Sequence, residues 1–432
     1  MHCALSVPHF TGRCHLRKIF SCLAVTVTVT AAAVLTAAPA GFPPAHAGPP
    51  GTGTAGTGAT GTGAVGTEAA DDRFYVPPDP LPAGAPGDVI RYRASVAGAV
   101  RATADAWQVM YRSTDALGRP NAVVGTVLVP RTTDPATAPV VAFAVGTHGP
   151  AFRCAPSEML RIGALYEQPA VNDLLKAGYA VAVTDYEGYR PDPRTTYVTG
   201  RAEGHAVIDA VRAAQRLPGL GLSPTAKVVF RGYSQGGGAA MWAGQLQPSY
   251  APELNLVGVV GGGVPADLVQ VALPLDGRRG FGLLAYSLIG LDNAYPELDL
   301  EDYLTESGKA EFARMQREAC TFELLVDYRD HRLADYTTSS PVLTPPWLAR
   351  VQENRLGGEA IRVPVHQYHA TGDDLVDFAQ AKALRDTYCR LGVQVDWRTY
   401  PTDHITSVHT GNAAAQAFTA DRVAGRPATS NC

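Results

Sequence analysis

The chain has 432 residues, a net charge of −4 and only 18% charged residues. That balance excludes a nucleic-acid binder built on a basic face. The 46% hydrophobic content allows a sizeable core, as two or three average domains or one large enzyme domain with insertions. Seven cysteines are too few for a disulfide-dense scaffold of this length.

The first elements are not part of a fold. Arg13, Arg17 and Lys18 precede an apolar run from Ile19 to Ala38, and the small-residue pattern Ala45-His46-Ala47 follows. This layout predicts a secretory signal peptide over residues 1–47. A membrane anchor is the competing reading, because a run of about twenty residues is long enough to span. The Ala-x-Ala site favours cleavage, and Cys22 has no lipobox before it. Residues 48–71 are almost only Gly, Thr, Ala and Pro, with nothing to bury, and are expected to form a disordered linker. The catalytic domain is then 72–432. The leader takes Cys3, Cys14 and Cys22 with it, leaving Cys154, Cys320, Cys389 and Cys432. Four cysteines allow three pairings, and this spacing fits no zinc motif.

Several short runs then read as strands buried on both faces. They are Val140 to Val145, Tyr179 to Val183, Val228 to Phe230, Val257 to Val260, Val363 to Tyr368 and Val393 to Tyr400. Between them lie amphipathic helices. Ala206 to Leu217 places Val207, Ala210, Val211, Ala214 and Leu217 on one face, and Ala379 to Cys389 ends before Gly392. Strand and helix in alternation predict an α/β three-layer sandwich with a mostly parallel sheet. The alternation breaks over about 266–358, a helical stretch without strand character. An insertion of this length in an α/β core is expected to be a cap over a site.

The chemistry is concentrated where these strands end. Gly232-Tyr233-Ser234-Gln235-Gly236 follows a buried strand and opens a small-residue helix over Gly237 to Gln245. That context is the strand-turn-helix of a nucleophile elbow, with Ser234 in a strained turn. A serine hydroxyl needs a base, and in this arrangement the order is Ser, acid, His. His331, His366, His369, His404 and His409 lie downstream. His404 follows the last strand and the turn Pro401-Thr402-Asp403, so it is assigned as the base, with His409 as its competitor. The acid is expected after Gly372: Asp373, ahead of Asp374 and Asp377, which suit helix capping. The oxyanion hole needs two backbone N–H groups. Gln235 is expected to give one, and the loop at His148 and Gly149 the other.

These residues resemble the secretory lipase family, the lipase A-type enzymes of the α/β-hydrolase superfamily. The resemblance spans most of the chain after residue 74. It rests on Gly125-Thr126-Val127-Leu128-Val129-Pro130, Cys154-Ala155-Pro156-Ser157, Asp185-Tyr186-Glu187-Gly188, the Ser234 elbow, Gly372-Asp373-Asp374-Leu375-Val376 and Asp403-His404. It implies an α/β-hydrolase fold with a helical cap insertion, a triad of Ser234, Asp373 and His404, and disulfides Cys154–Cys320 and Cys389–Cys432. The chain departs from the pattern at His148, where the best-known fungal members carry an Asp.

The expected function is a secreted, extracellular serine carboxylester hydrolase, a lipase or esterase working through an acyl-enzyme. No cofactor and no metal are required. The partners are a lipid or small acyl ester and a lipid–water interface, and the enzyme is expected to act as a monomer. The apolar residues Phe281, Leu283, Leu284, Tyr286, Leu288 and Ile289 point to acyl chains. A peptidase or polymer esterase of the same fold, or a catalytically silent hydrolase fold used for binding, are the alternatives. A metallohydrolase is disfavoured, because there is no His-Glu-x-x-His.

Overall fold

The computed structural model describes residues 72–432. The signal peptide expected over 1–47 and the linker expected over 48–71 lie outside the described residues. Nine strands form one sheet. They are β1 (Val89–Ser95), β2 (Ala104–Thr114), β3 (Pro120–Pro130), β4 (Val140–Ala144), β5 (Ala180–Thr184), β6 (Val228–Tyr233), β7 (Leu256–Gly262), β8 (Val365–Ala370) and β9 (Val395–Tyr400). The spatial order is β1-β2-β3-β5-β4-β6-β7-β8-β9. β1, β2, β3 and β5 pair antiparallel, and every later pairing is parallel.

The six later strands fall where the apolar runs lie, within two or three residues at each end. β4, β5 and β6 are buried at every residue, which is why they read as apolar runs, broken in β6 by Arg231, whose guanidinium is satisfied by Gln416 and Asn412. The first three strands escape that test. β2 carries Asp105, Gln108 and Arg112 between its apolar residues. Gln108 is buried all the same, because its Nε2 donates to the Tyr75 hydroxyl at 2.6 Å.

The chain path creates a crevice. From β4 the chain crosses to β5 on one side, then returns to β6 on the other side of β4. Right-handed crossovers in opposite directions put their helices on opposite faces of the sheet. Pro156–Ile162 and Gln168–Lys176 therefore cover one face, and Gly200–Gln215 covers the other. The helix Gln235–Tyr250 packs beside Gly200–Gln215. The loops after β4 and β6 diverge at this switch point, the place where open α/β sheets bind ligands.

Between β7 and β8 the strand alternation stops. The segment holds the helices Leu268–Ala272, Phe281–Ala294, Glu306–Glu318, Thr321–Val326 and Pro345–Glu353. Its apolar residues gather in a cluster of their own around Phe281, Tyr286 and Trp347. Tyr197, Val198, Leu375 and Val376 from core loops join that cluster, so the insertion is packed onto the ends of the parallel strands. The stripe Phe281, Leu284, Tyr286, Leu288 and Ile289 is buried inside it. Those side chains build the insertion itself, and of the expected acyl-facing residues only Leu283 reaches the cavity described below.

Two disulfides brace the ends of this arrangement. Cys154 bonds Cys320, 166 residues away, and ties the segment after β4 to the insertion. Cys389 bonds Cys432 and ties the C-terminus to the helix Phe378–Arg390.

Candidate active site

Ser234 sits between β6 and the helix Gln235–Tyr250, with φ 57° and ψ −124°. A non-glycine residue at positive φ is strained and persists only where its surroundings force it. The surroundings here are specific. The Ser234 N–H donates to the Gly262 carbonyl at 2.9 Å, and the Ser234 carbonyl accepts from Gly238 N at 3.0 Å. The flanking glycines let the helix press against the sheet. A Cβ on Gly232 would stand 2.2 Å from the Gly236 oxygen, and one on Gly236 would stand 2.0 Å from the Ala144 oxygen. No side chain fits either position. The 16-residue helix starts just after the serine, so its positive dipole end lies at the hydroxyl.

His404 and Asp373 complete a hydrogen-bonded chain. His404 Nε2 lies 2.9 Å from Ser234 Oγ, and His404 Nδ1 lies 2.7 Å from Asp373 Oδ2. His404 is not on a free loop. It is the first residue of the helix His404–Thr410, whose N-cap Asp403 accepts from Thr406 N. Tyr233 fixes it from below by donating its hydroxyl to the His404 carbonyl at 2.7 Å.

Asp373 follows β8, and its Oδ1 accepts the backbone N–H of Leu375 at 3.1 Å and of Val376 at 2.7 Å. Burial alone pushes this carboxyl up. The hydrogen bonds from His369 and His404 outweigh burial and hold it well below the usual carboxylate range. An ionised Asp373 facing Nδ1 keeps the Nε2 lone pair of His404 turned to the serine. The other candidates lie elsewhere. Asp374 pairs with Arg279, Asp377 caps the helix Phe378–Arg390, and His409 is exposed. His366 pairs with Asp396, and His331 bonds the Tyr336 hydroxyl inside the insertion.

The loop after β4 is pinned residue by residue. Gly146 N donates to Glu167 at 2.8 Å, Thr147 Oγ1 bonds the Tyr197 hydroxyl at 2.8 Å, and the Gly149 carbonyl accepts from Tyr189 at 2.7 Å. The His148 carbonyl accepts from Thr321 N at 3.0 Å, at the start of an insertion helix. Gly149 has φ +96°, and a Cβ there would meet the Cys320 Cα at 2.5 Å. The His148 ring stacks on Tyr166 and places Nδ1 2.9 Å from the Gly146 carbonyl. A carbonyl only accepts, so Nδ1 carries the proton and Nε2 is a bare acceptor. Burial pushes the ring down to about 4, against the pull of the Gly146 bond, so it is neutral at pH 7. The His148 side chain therefore offers no donor to an anion, and a donor at this residue has to be its backbone N–H.

Gln235, after the serine, is anchored through its side chain. Its Nε2 donates to Glu203 Oε1 at 2.7 Å, and the same oxygen accepts Val198 N at 2.9 Å. Glu203 is buried, and burial pushes it up to about 8 against those two bonds. Glu167 behind Gly146 is likewise pushed up to about 8 by burial. Neither is a candidate from the sequence: Glu203 sits in the helix Gly200–Gln215 and Glu167 just before the helix Gln168–Lys176, and nothing local marks either carboxyl as buried. A cavity of about 40 Å³ opens beside Ser234 and Gln235, walled by Tyr197, Val198, Leu268, Leu283, Leu375 and Val376. It is mostly apolar. A larger cavity of about 610 Å³ lies away from the serine, lined by Tyr189, Glu187 and Asp292 among others. The chemistry assigns the site to the small cavity, because Ser234 itself lines it.

Residues 155–431 match the family model described as secretory lipase. Among curated proteins, lipase 2 of Candida albicans is 30% identical over 395 residues, covering 84% of this chain and 83% of that protein. A probable inactive lipase of Mycobacterium tuberculosis is 29% identical over 377 residues, covering 83% of each. Among solved structures, Candida antarctica lipase A in its closed state superposes with a TM-score of 0.77 at 26% identity, covering 84% of this chain and 88% of that one.

Proposed function

This chain belongs to the secretory lipase family, and we propose that it is a secreted serine carboxylester hydrolase acting on triacylglycerols or related acyl esters. The observation that carries this reading is the continuous chain Ser234–His404–Asp373, with the serine held at positive φ. His404 takes the Ser234 proton as Oγ attacks the ester carbonyl, and Asp373 stabilises the imidazolium that forms. The tetrahedral oxyanion is held by backbone N–H groups at Gln235 and at His148 or Gly149. The alcohol leaves with the proton from His404. Water activated by the same imidazole then releases the acid and frees the serine.

The insertion over 266–358 acts as the cap. Leu268 and Leu283 belong to it and wall the cavity beside the serine. A pocket for a drug-sized ligand has a volume of about 300 Å³ or more. A cavity of about 40 Å³ cannot hold a long acyl chain, so such substrates require the cap to shift. Residues 1–47 serve as the leader for export, which suits the two disulfides.

A silent hydrolase fold is the second reading, and the probable inactive relative favours it. The deciding experiment is hydrolysis of p-nitrophenyl butyrate by wild type and Ser234→Ala. Wild type turns over, and the variant loses about 10³-fold or more in kcat. Equal rates in the two proteins contradict the mechanism.

A further inference from the structure

We propose that His369 is a positioning residue of this site, joining the triad acid and the cavity wall into one unit. The proposal rests on the reading of Ser234, His404 and Asp373 given above.

His369 lies on β8, four residues before Asp373, and its side chain is fully buried. Its Nε2 stands 2.9 Å from the Val376 carbonyl and 3.2 Å from Asp373 Oδ2. A carbonyl can only accept, so Nε2 carries the proton and donates it to Val376, with the same N–H edge lying against Asp373 Oδ2. Oδ2 is also the oxygen that holds His404. The carboxylate oxygen that holds the base thus has a second imidazole N–H edge against it, 3.2 Å away.

The same contacts reach the cavity. Val376 gives its N–H to Asp373 Oδ1 at 2.7 Å and its carbonyl to His369. Both backbone groups of a cavity-wall residue are therefore bound to the acid and its neighbour. The backbone bonds hold only Oδ1. His369 packs its N–H edge on Oδ2 and so limits the plane in which the carboxylate meets His404.

The other nitrogen of His369 argues the same way. Nδ1 is buried and has no hydrogen-bond partner among the described residues. An imidazole with one bare nitrogen is a poor filler for an interior packed against Phe378, and an apolar side chain would carry no such penalty. What an apolar side chain lacks is the N–H at the Nε2 position.

The test uses His369→Gln, His369→Asn and His369→Leu in the full chain. Gln places an amide N–H near the Nε2 position, whereas Asn reaches only the Nδ1 position and Leu has no donor. Active sites are counted by stoichiometric fluorophosphonate uptake, and kcat and KM are measured on p-nitrophenyl butyrate. The Gln variant is expected within about threefold of wild-type kcat per labelled site. The Asn and Leu variants are expected to lose about tenfold or more, because small misplacements of a catalytic group are expensive in rate. If Leu does not fold, the comparison of Gln with Asn decides. Equal kcat per labelled site in Gln and Asn, at any level, overturns the proposal. A wild type that neither takes up label nor hydrolyses ester overturns the serine-hydrolase reading instead, so the two failures are distinct.

Discussion

Replacing Glu203 by Gln isolates one buried carboxyl and its effect on stability. Glu203 lies in the helix Gly200–Gln215 and accepts the Val198 N–H and the Gln235 amide on one oxygen. Gln keeps a carbonyl oxygen for both donors. Burial raises the native value from 4.5 to about 8. The folded protein therefore holds this proton more tightly than the unfolded chain. The stabilisation is complete below about pH 4.5 and is lost as pH rises toward 8. The slope is about 1.4 kcal/mol per pH unit, so the loss between pH 5 and pH 7 is roughly 3 kcal/mol. Gln has no such term. At roughly 2 °C per kcal/mol for a domain of this size, the melting temperature of the variant minus that of wild type should rise by about 5 °C from pH 5 to pH 7. Glu167 and Asp185 are also raised to about 8 by burial, but both proteins carry them and they cancel. Calorimetry at the two pH values reads the difference. A gap that stays constant, or shrinks, refutes the buried-carboxyl argument.

Four further outcomes follow from the geometry. Gly149→Ala puts a methyl group into the Cys320 backbone at positive φ. It should lower stability by about 2–6 kcal/mol and lower kcat more than it raises KM; unchanged melting and unchanged kcat contradict the pinned loop. The mature oxidised chain should show no free thiol by intact mass under non-reducing conditions. Cys154→Ala with Cys320→Ala should lower unfolding free energy in guanidinium by about 3–5 kcal/mol, because the bond spans 166 residues; a loss below about 1 kcal/mol contradicts its bracing role. Activity on p-nitrophenyl palmitate should rise more on adding an emulsion than activity on the acetate, because the longer acyl chain outgrows the small cavity. An equal response of both esters contradicts the cap reading.

Much of the site can be read locally. Ser234 is visible because the apolar run Val228 to Phe230, a glycine-flanked serine and a small-residue helix succeed one another within twenty-odd residues. Asp373 is visible because it follows a strand and Gly372. The mixed strands β1 to β3 are not visible by apolar runs, since antiparallel edge pairing tolerates polar residues such as Gln108 once a partner like Tyr75 satisfies them. Glu203 and His369 are invisible for a related reason. Their meaning lies in partners brought together by folding, Gln235 for one and the Val376 carbonyl for the other. The stripe from Phe281 to Ile289 misled because an apolar helix face looks the same whether it meets a ligand or its own neighbours.

The central claim is that Ser234 is an activated nucleophile. It is tested most directly by incubating the mature chain with a fluorophosphonate, then mapping the modified peptide by mass spectrometry. The account predicts one adduct per chain, on Ser234, and none in Ser234→Ala or after heat denaturation. An unmodified folded chain, or an adduct on another residue that persists in Ser234→Ala, would contradict it.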